Sequence, residues 1–179
     1  LLGHLLHAEG IACVVLERHT AAHILARIRA GVLEQVTVGL MERLGLDARM
    51  KAEGLPHGGF NLADGERLIH INVAALTGKQ VIVYGQTEIT RDLMDASDER
   101  GLQIVYGAQD VALHDIDSDA PYVIYTIEGV RQRVDCRFIA GCDGFHGPSR
   151  KAVPARVSKE FERVYPFGWL GILADVAPC

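Results

Sequence analysis

Gly10-Ile11-Ala12-Cys13-Val14-Val15-Leu16-Glu17-Arg18 is the stretch on which the fold turns. An unbroken apolar run from Ile11 to Leu16, opened by a glycine and closed by a charged pair, suits a parallel strand buried on both faces. Leu1-Leu2-Gly3-His4-Leu5-Leu6-His7 precedes it and carries an apolar helical face that Gly10 stops. Helix, glycine, buried strand and terminal acid, in that order, make the second half of a βαβ unit. Its first strand and glycine-rich turn would lie upstream of Leu1. An α/β protein follows.

Further along, Leu33, Val36, Leu40 and Leu44 recur at helical spacing, so a helix is expected from Arg29 to Leu44, stopped by Gly45. Between Gly58 and Val83 the pattern shortens into alternating pieces around Phe60-Leu62 and Leu68-Ile71. Asp64-Gly65 and Thr77-Gly78 break them, which predicts a small hairpin region. Thr87 is expected to cap a helix through its hydroxyl. Glu88 and Asp92 would then lie near its positive end, with Ile89, Leu93 and Ala96 inward and Arg100-Gly101 at the stop. Ile104-Val105-Tyr106, Val111 to His114, Tyr122 to Ile127, and a turn at Glu128-Gly129 predict a meander. A return strand from Val134 to Ala140 should then deliver Gly141-Cys142-Asp143-Gly144. Gly168 to Asp175 reads as a last strand.

The chain has 179 residues, 49% of them hydrophobic, with a formal net charge of -5. Nucleic acid is a poor partner for that charge, and no Lys/Arg run supplies a basic arm. No apolar run approaches a membrane span, so a cytoplasmic protein is expected. The four cysteines have no C-x-x-C spacing and are expected to be reduced, packed thiols. His4 with His7, and the pair within Arg18 to His23, lack a third ligand in register, so no metal site is expected. The opening in mid-helix and the unpaired last strand are expected of a piece cut from a longer chain.

Four places carry candidate chemistry. Glu17 ends a parallel strand, where open α/β sheets bind ligands, and its carboxylate is able to accept two ribose hydroxyls. An acid that merely closes the strand beside Arg18 fits equally. Asp143-Gly144 pairs an acceptor with a residue that allows close backbone approach, although such a pair also makes a plain turn. Phe145-His146-Gly147-Pro148-Ser149-Arg150 follows it with donors suited to phosphate. Arg27 and Arg29 lead into the expected helix, whose start would attract an anion; a solvated basic rim is the alternative. Gln86 precedes the next helix and offers an amide.

Four blocks carry a resemblance. Arg27-Ile28-Arg29-Ala30-Gly31-Val32-Leu33-Glu34-Gln35, Tyr84-Gly85-Gln86-Thr87-Glu88, Gly141-Cys142-Asp143-Gly144-Phe145-His146-Gly147 and Phe161-Glu162-Arg163-Val164-Tyr165-Pro166-Phe167-Gly168-Trp169 resemble, in order, the flavin-dependent aromatic hydroxylases of the 4-hydroxybenzoate 3-monooxygenase type. The resemblance implies an FAD/NAD(P)-binding, Rossmann-like parallel sheet with inserted antiparallel strands. It implies an FAD-binding domain over 1–155, a hairpin region at 57–83 facing the substrate side, and the start of a substrate-domain sheet over 156–179. FAD, NADPH or NADH as electron donor, O2 and 4-hydroxybenzoate are the implied cofactors and partners, in a homodimer that serves aromatic catabolism. By the matching motifs Glu17 would bind adenosine ribose, Arg29 and Gln86 the phosphate and ribityl region, and Asp143 with Gly144 the middle of FAD. Arg27 falls in the same block. Arg18, Arg27 and His146 match nicotinamide-nucleotide positions, His57 the solvent end of a proton relay from the substrate phenol, and Trp169 a ring beside the active site. A flavin monooxygenase for another phenol, and a noncatalytic nucleotide-binding module, remain alternatives.

Overall fold

The computed structural model describes residues 1–27, 29 and 31–172. They fall into two compact units that meet in sequence between Gly107 and Ala108.

The first unit opens with α1 (Leu2–Ala8). Gly10 N–H donates to the His7 carbonyl at 3.0 Å and Ile11 N–H to that of Leu6 at 2.9 Å, the paired bonds that close a helix on a glycine. Because Ile11 is used in that closure, β1 begins at Val14 rather than Ile11 and ends at Glu17. It pairs in parallel with β7 (Gln103–Tyr106), Glu17 opposite Tyr106. The parallel direction is as expected; the double burial is not, since all four β1 residues are half-buried and β7 is the strand's one neighbour among the described residues.

The helix expected over Arg29 to Leu44 is shorter. After α2 (Ala21–Ala26), residues Val32 and Leu33 form β2, antiparallel to β6 (Val81–Val83), and α3 runs only from Gln35 to Leu44. Tyr84 N–H bonds the Gly31 carbonyl at 3.0 Å, extending this ladder and holding the segment out of the helix. Arg27 and Arg29 therefore do not lie at a helix start. The inward stripe of α3 is Val38, Met41 and Leu44, and Val36 is 71% exposed.

Next come α4 (Ala48–Glu53) and β3 (Leu55–His57), which pairs with the other edge of β6. The expected hairpin follows as β4 (Phe60–Asp64) and β5 (Arg67–Ile71), turning at Gly65. α5 (Val73–Thr77) leads to β6 and then to α6 (Gln86–Arg100). That helix starts two residues early: Gly85 is the cap residue and Thr87 sits inside the first turn, so the Thr87 cap is corrected. The main core joins Val38, Met41, Met50, Tyr84 and Ile89 from α3, α4, the end of β6 and α6. Fully burying a side chain of this kind contributes about 1.5–3 kcal/mol, so this cluster fixes α6 against β6.

His4, 2% exposed, joins α1 to α6 through Nε2, which lies 2.9 Å from the Leu93 carbonyl and 3.0 Å from Ser97 Oγ. Its Nδ1 is buried without a hydrogen-bond partner. Burial lowers its pKa, against the opposing Leu93 hydrogen bond and with help from Arg100 and His7. A depressed folded-state value means that the unfolded chain binds the proton first. His4 therefore adds stability in full above about pH 6.5, and this is lost as pH falls toward the folded value. Melting temperature is expected to drop between pH 7.5 and 5.5, and His4→Gln to flatten that slope; an unchanged slope in the variant would remove His4 as its source.

The second unit is a meander of β8 (Gln109–His114), β9 (Tyr122–Ile127) and β10 (Val130–Asp135), in the order β10-β9-β8. Glu128 and Gly129 both take positive φ, 50 and 77°, as a two-residue hairpin turn requires. The expected strand to Ala140 is corrected: β10 stops at Asp135, Cys136 N–H closes onto the Pro121 carbonyl, and Phe138 is 87% exposed. An apolar run such as Phe138-Ile139-Ala140 needs strands beside it, and none of the described strands pairs with it. α7 spans Pro148–Ala152. Gly168 to Ile172 form no strand, and the rest of that expected element, Leu173 to Asp175, lies outside the described residues. No helix among the described residues is long and apolar enough to cross a membrane.

Candidate functional site

At the carboxyl end of β1, in the first unit, Glu17 turns its carboxylate onto the backbone: His19 N–H donates to Glu17 Oε1 at 2.7 Å. Arg18 is exposed, its guanidinium 3.2 Å from His19 Nε2, and His19 stacks on His23 with ring centroids 4.2 Å apart. Loss of water contact, then the charges of His23 and Arg18, lower the His19 pKa, while Glu17 opposes them and Arg27 adds to the lowering. Glu17, Arg18 and Arg27 thus share one electrostatic neighbourhood at a strand end, where open sheets take ligands.

Gly31, two residues after Arg29, and Gln86 are distant in sequence and are brought together by the backbone. A methyl group on Gly31 would lie inside contact distance of the Tyr84 carbonyl oxygen, 2.5 Å from Gln86 N and 2.7 Å from Gly85 C. Gly31 is therefore pressed flat onto the residues that start α6. Arg29 stands two residues before this joint and is exposed; Gln86 is the first residue of α6, also exposed. No side chain caps that helix, so its start presents backbone N–H groups beside the amide of Gln86. Beneath it, Tyr84 Oη donates to Asp92 Oδ2 at 2.7 Å, and Arg49 bonds Asp92, Glu88 at 2.6 Å and Glu53 at 3.2 Å. Sequence reading missed Arg49 and Tyr84; an acid at Asp92, within a helix, was their single local trace. His57 is half-buried on β3 opposite Val81, and is not joined to these groups by any hydrogen bond described.

The second unit holds Asp143 and Gly144. Ser149 N–H, in the first turn of α7, donates to Asp143 Oδ2 at 2.8 Å, so the carboxylate caps a helix that Gly147 and Pro148 open. Burial alone would raise its pKa; the bonds from the Ser149 backbone and hydroxyl outweigh this and hold it below the usual carboxylate range. A methyl group on Gly147 would run into Asp143 Cγ and Cβ, and one on Gly141 would meet Ser149 Cβ at 2.5 Å. The two glycines let the loop fold around the carboxylate, and Gly144 turns it at φ 72°. Asp143 lines a cleft of about 850 Å³ with Arg137, Phe138, Cys142 and Arg150. Arg150 lies 4.2 Å over the Phe145 ring and bonds Glu160, while exposed His146 meets Phe145 edge-on at 5.0 Å. Trp169 is 96% exposed, its ring centroid 6.3 Å from that of Phe167, and is not among the cleft-lining residues.

Comparison with known proteins agrees with this geometry. A family model described as "FAD binding domain" matches residues 1–179. The p-hydroxybenzoate hydroxylase of Acinetobacter baylyi is 49% identical over 179 residues, which is 99% of this chain and 44% of that protein. Among solved structures, the OxyS anhydrotetracycline hydroxylase of Streptomyces rimosus is 25% identical with a TM-score of 0.67, over 84% of this chain and 30% of that one. The flavin-dependent monooxygenase PieE, solved with FAD and substrate, is 19% identical with a TM-score of 0.68, over 83% and 29%, and shares the fold. The chain thus spans less than half the length of these proteins. With its parallel β1–β7 pair, its inserted antiparallel strands and a family match along its whole length, the chain belongs to the FAD-binding domain family.

Proposed function

We propose that this chain is the FAD-binding part of a flavoprotein monooxygenase that converts 4-hydroxybenzoate to 3,4-dihydroxybenzoate with NAD(P)H and O2. The observation that carries the reading is the 49% identity, along 179 residues, to a p-hydroxybenzoate hydroxylase. The residues present fit the cofactor on one independent ground: Asp143 is held as a carboxylate able to accept hydroxyl hydrogen bonds, beside Gly144 at positive φ. Bound FAD supplies the redox and oxygen chemistry. Glu17 accepts from the adenosine ribose, Arg29 and Gln86 hold the phosphate and ribityl region with Arg27 beside them, and Asp143 with Gly144 accepts and admits the middle of the cofactor.

In the same proposal Arg18, Arg27 and His146 receive the nicotinamide nucleotide, and His57 passes the substrate's phenolic proton toward solvent, fitting work for an imidazole. Trp169 takes its place beside the active site as the substrate domain assembles. Residues 1–155 form the FAD-binding domain, 57–83 contribute to the substrate side, and 156–179 begin the substrate domain. The complete gene product works as a homodimer in the cytoplasm.

The test is NAD(P)H oxidation by the purified complete gene product. We expect 4-hydroxybenzoate to stimulate it, with one 3,4-dihydroxybenzoate formed per nicotinamide consumed; stimulation by a different phenol alone would replace the substrate. Arg18 directly follows the ribose-binding acid, which favours NADPH through its extra phosphate. Arg18→Glu is expected to raise KM for NADPH by at least about tenfold and KM for NADH far less, since a charge-assisted contact is worth roughly 1.5–3 kcal/mol. Equal effects on both would remove Arg18 from that role.

A further inference from the structure

The start of α6 has no capping side chain, yet it is the surface on which Gly31 is pressed. Something other than a local cap must hold it still. Tyr84, the residue before Gly85, is 3% exposed, and its hydroxyl reaches forward eight residues to Asp92 Oδ2 at 2.7 Å. The other oxygen of Asp92, whose side chain is 10% exposed, accepts from Arg49 Nη1. Arg49 comes from α4, where Glu53 flanks it, and its Nη2 bonds Glu88 in the first turn of α6 at 2.6 Å.

Two turns of α6, the end of β6 and α4 therefore converge on one carboxylate. An isolated exposed ion pair holds little, but here the phenol is in the core and Asp92 is nearly so, and the guanidinium is shared by three acids. Burial first, and then Asp92, raise the Tyr84 pKa, so the phenol remains a donor across the working range.

We infer that Tyr84, Asp92 and Arg49 are positioning residues of the cofactor site: they hold the joint between Gly31 and Gln86, and thereby set where Arg29 and Gln86 meet FAD. The inference rests on the FAD contacts proposed for Arg29 and Gln86. Tyr84→Phe keeps the buried ring and deletes only the hydroxyl that reaches Asp92. In the complete gene product, Tyr84→Phe is expected to raise the FAD dissociation constant about fivefold, the scale of one net hydrogen bond. Asp92→Asn should move it the same way.

The decisive measurement is a double-mutant cycle on FAD affinity with Gln86→Ala. If Tyr84 acts through Gln86, adding Tyr84→Phe to Gln86→Ala weakens FAD much less than fivefold further, and the visible circular dichroism of bound flavin shifts alike in either single variant. Strict additivity, or a Tyr84→Phe protein whose FAD affinity is unchanged while its apoprotein melts lower, overturns the inference and marks the contact as structural. Should Tyr84→Phe fail to fold, Asp92→Asn enters the same cycle with the same expected outcomes. A Gln86→Ala protein with undiminished FAD affinity overturns both the proposed Gln86 contact and this inference; additivity with a weakened Gln86→Ala overturns the inference alone.

Discussion

Gly31→Ala is expected to give a complete gene product that is isolated largely colourless and melts well below the parent. The new methyl group would press on the Tyr84 carbonyl oxygen while lying 2.5 Å from Gln86 N and 2.7 Å from Gly85 C. All three are backbone atoms at the end of a strand and the start of a helix, so no side-chain rotation relieves them. β2 must part from β6, or α6 must shift. Overpacking of this kind costs about 3 kcal/mol, a factor of roughly 150 in the folding equilibrium, and the displaced elements are those that carry Arg29 and Gln86. Gly39→Ala is the control, because nothing lies within 4 Å of its added methyl group and it sits inside α3. It should stabilise by about 0.5–1 kcal/mol. Flavin absorbance per protein and the urea midpoint check both; a yellow Gly31→Ala protein with a parental midpoint would falsify the close-approach argument.

What the sequence disclosed was whatever has a local cause. Gly65, in the two-residue turn Gly65-Glu66, and Gly129, in the turn Glu128-Gly129, supply the positive φ these hairpins need, and both hairpins stand where they were expected. Gly101 closes α6 by the same pair of bonds that closes α1 on Gly10. The helix wrongly extended back to Arg29 failed for the opposite reason. Leu33 and Val36 have helical spacing, but Val32 and Leu33 find partners at Val83 and Ile82, some fifty residues on, and ladder pairing overrides a weak local preference. Phe138 to Ala140 read as a buried strand from composition alone, although a strand is defined by its neighbours.

The candidate site divides along the same line. Glu17 was legible because a parallel strand ending in an acid is itself a local pattern, and β1 proved parallel. Arg29 and Gln86 could each be noted, but nothing in either segment says that Gly31 packs onto the start of α6. Arg49, Tyr84 and Asp92 were invisible as a group for the same reason: a hydrogen bond across 43 residues leaves no periodicity. Gly147-Pro148 carried a signal that the sequence reading did not use, since proline favours the first position of a helix. It marked the start of α7, and with it the donor to which Asp143 is bound.

That bond sharpens what Asp143 variants should do. Asp143→Ala removes a helix cap, worth about 0.5–2 kcal/mol, and in the proposed function also removes an acceptor for flavin hydroxyls. Truncating one charged partner of a desolvated contact costs about 2–5 kcal/mol, so FAD should weaken by roughly 30-fold to several thousand-fold, beyond what the cap alone explains. Asp143→Asn separates the two roles. An asparagine oxygen is still able to accept from Ser149 N–H, though as the weaker neutral acceptor, so the melting temperature should fall less than in Asp143→Ala. The charge is gone, however, and a neutral acceptor is roughly half as strong as a charged one, so FAD should still weaken by about tenfold. Equilibrium titration of apoprotein with FAD, beside a thermal melt, reads both quantities from one preparation. If Asp143→Asn binds FAD as the parent does and Asp143→Ala loses only stability, the carboxylate is the cap of α7 and nothing more. If instead either variant keeps its flavin and loses affinity for 4-hydroxybenzoate, the residue belongs to the substrate, against the expectation that a carboxylate repels a benzoate.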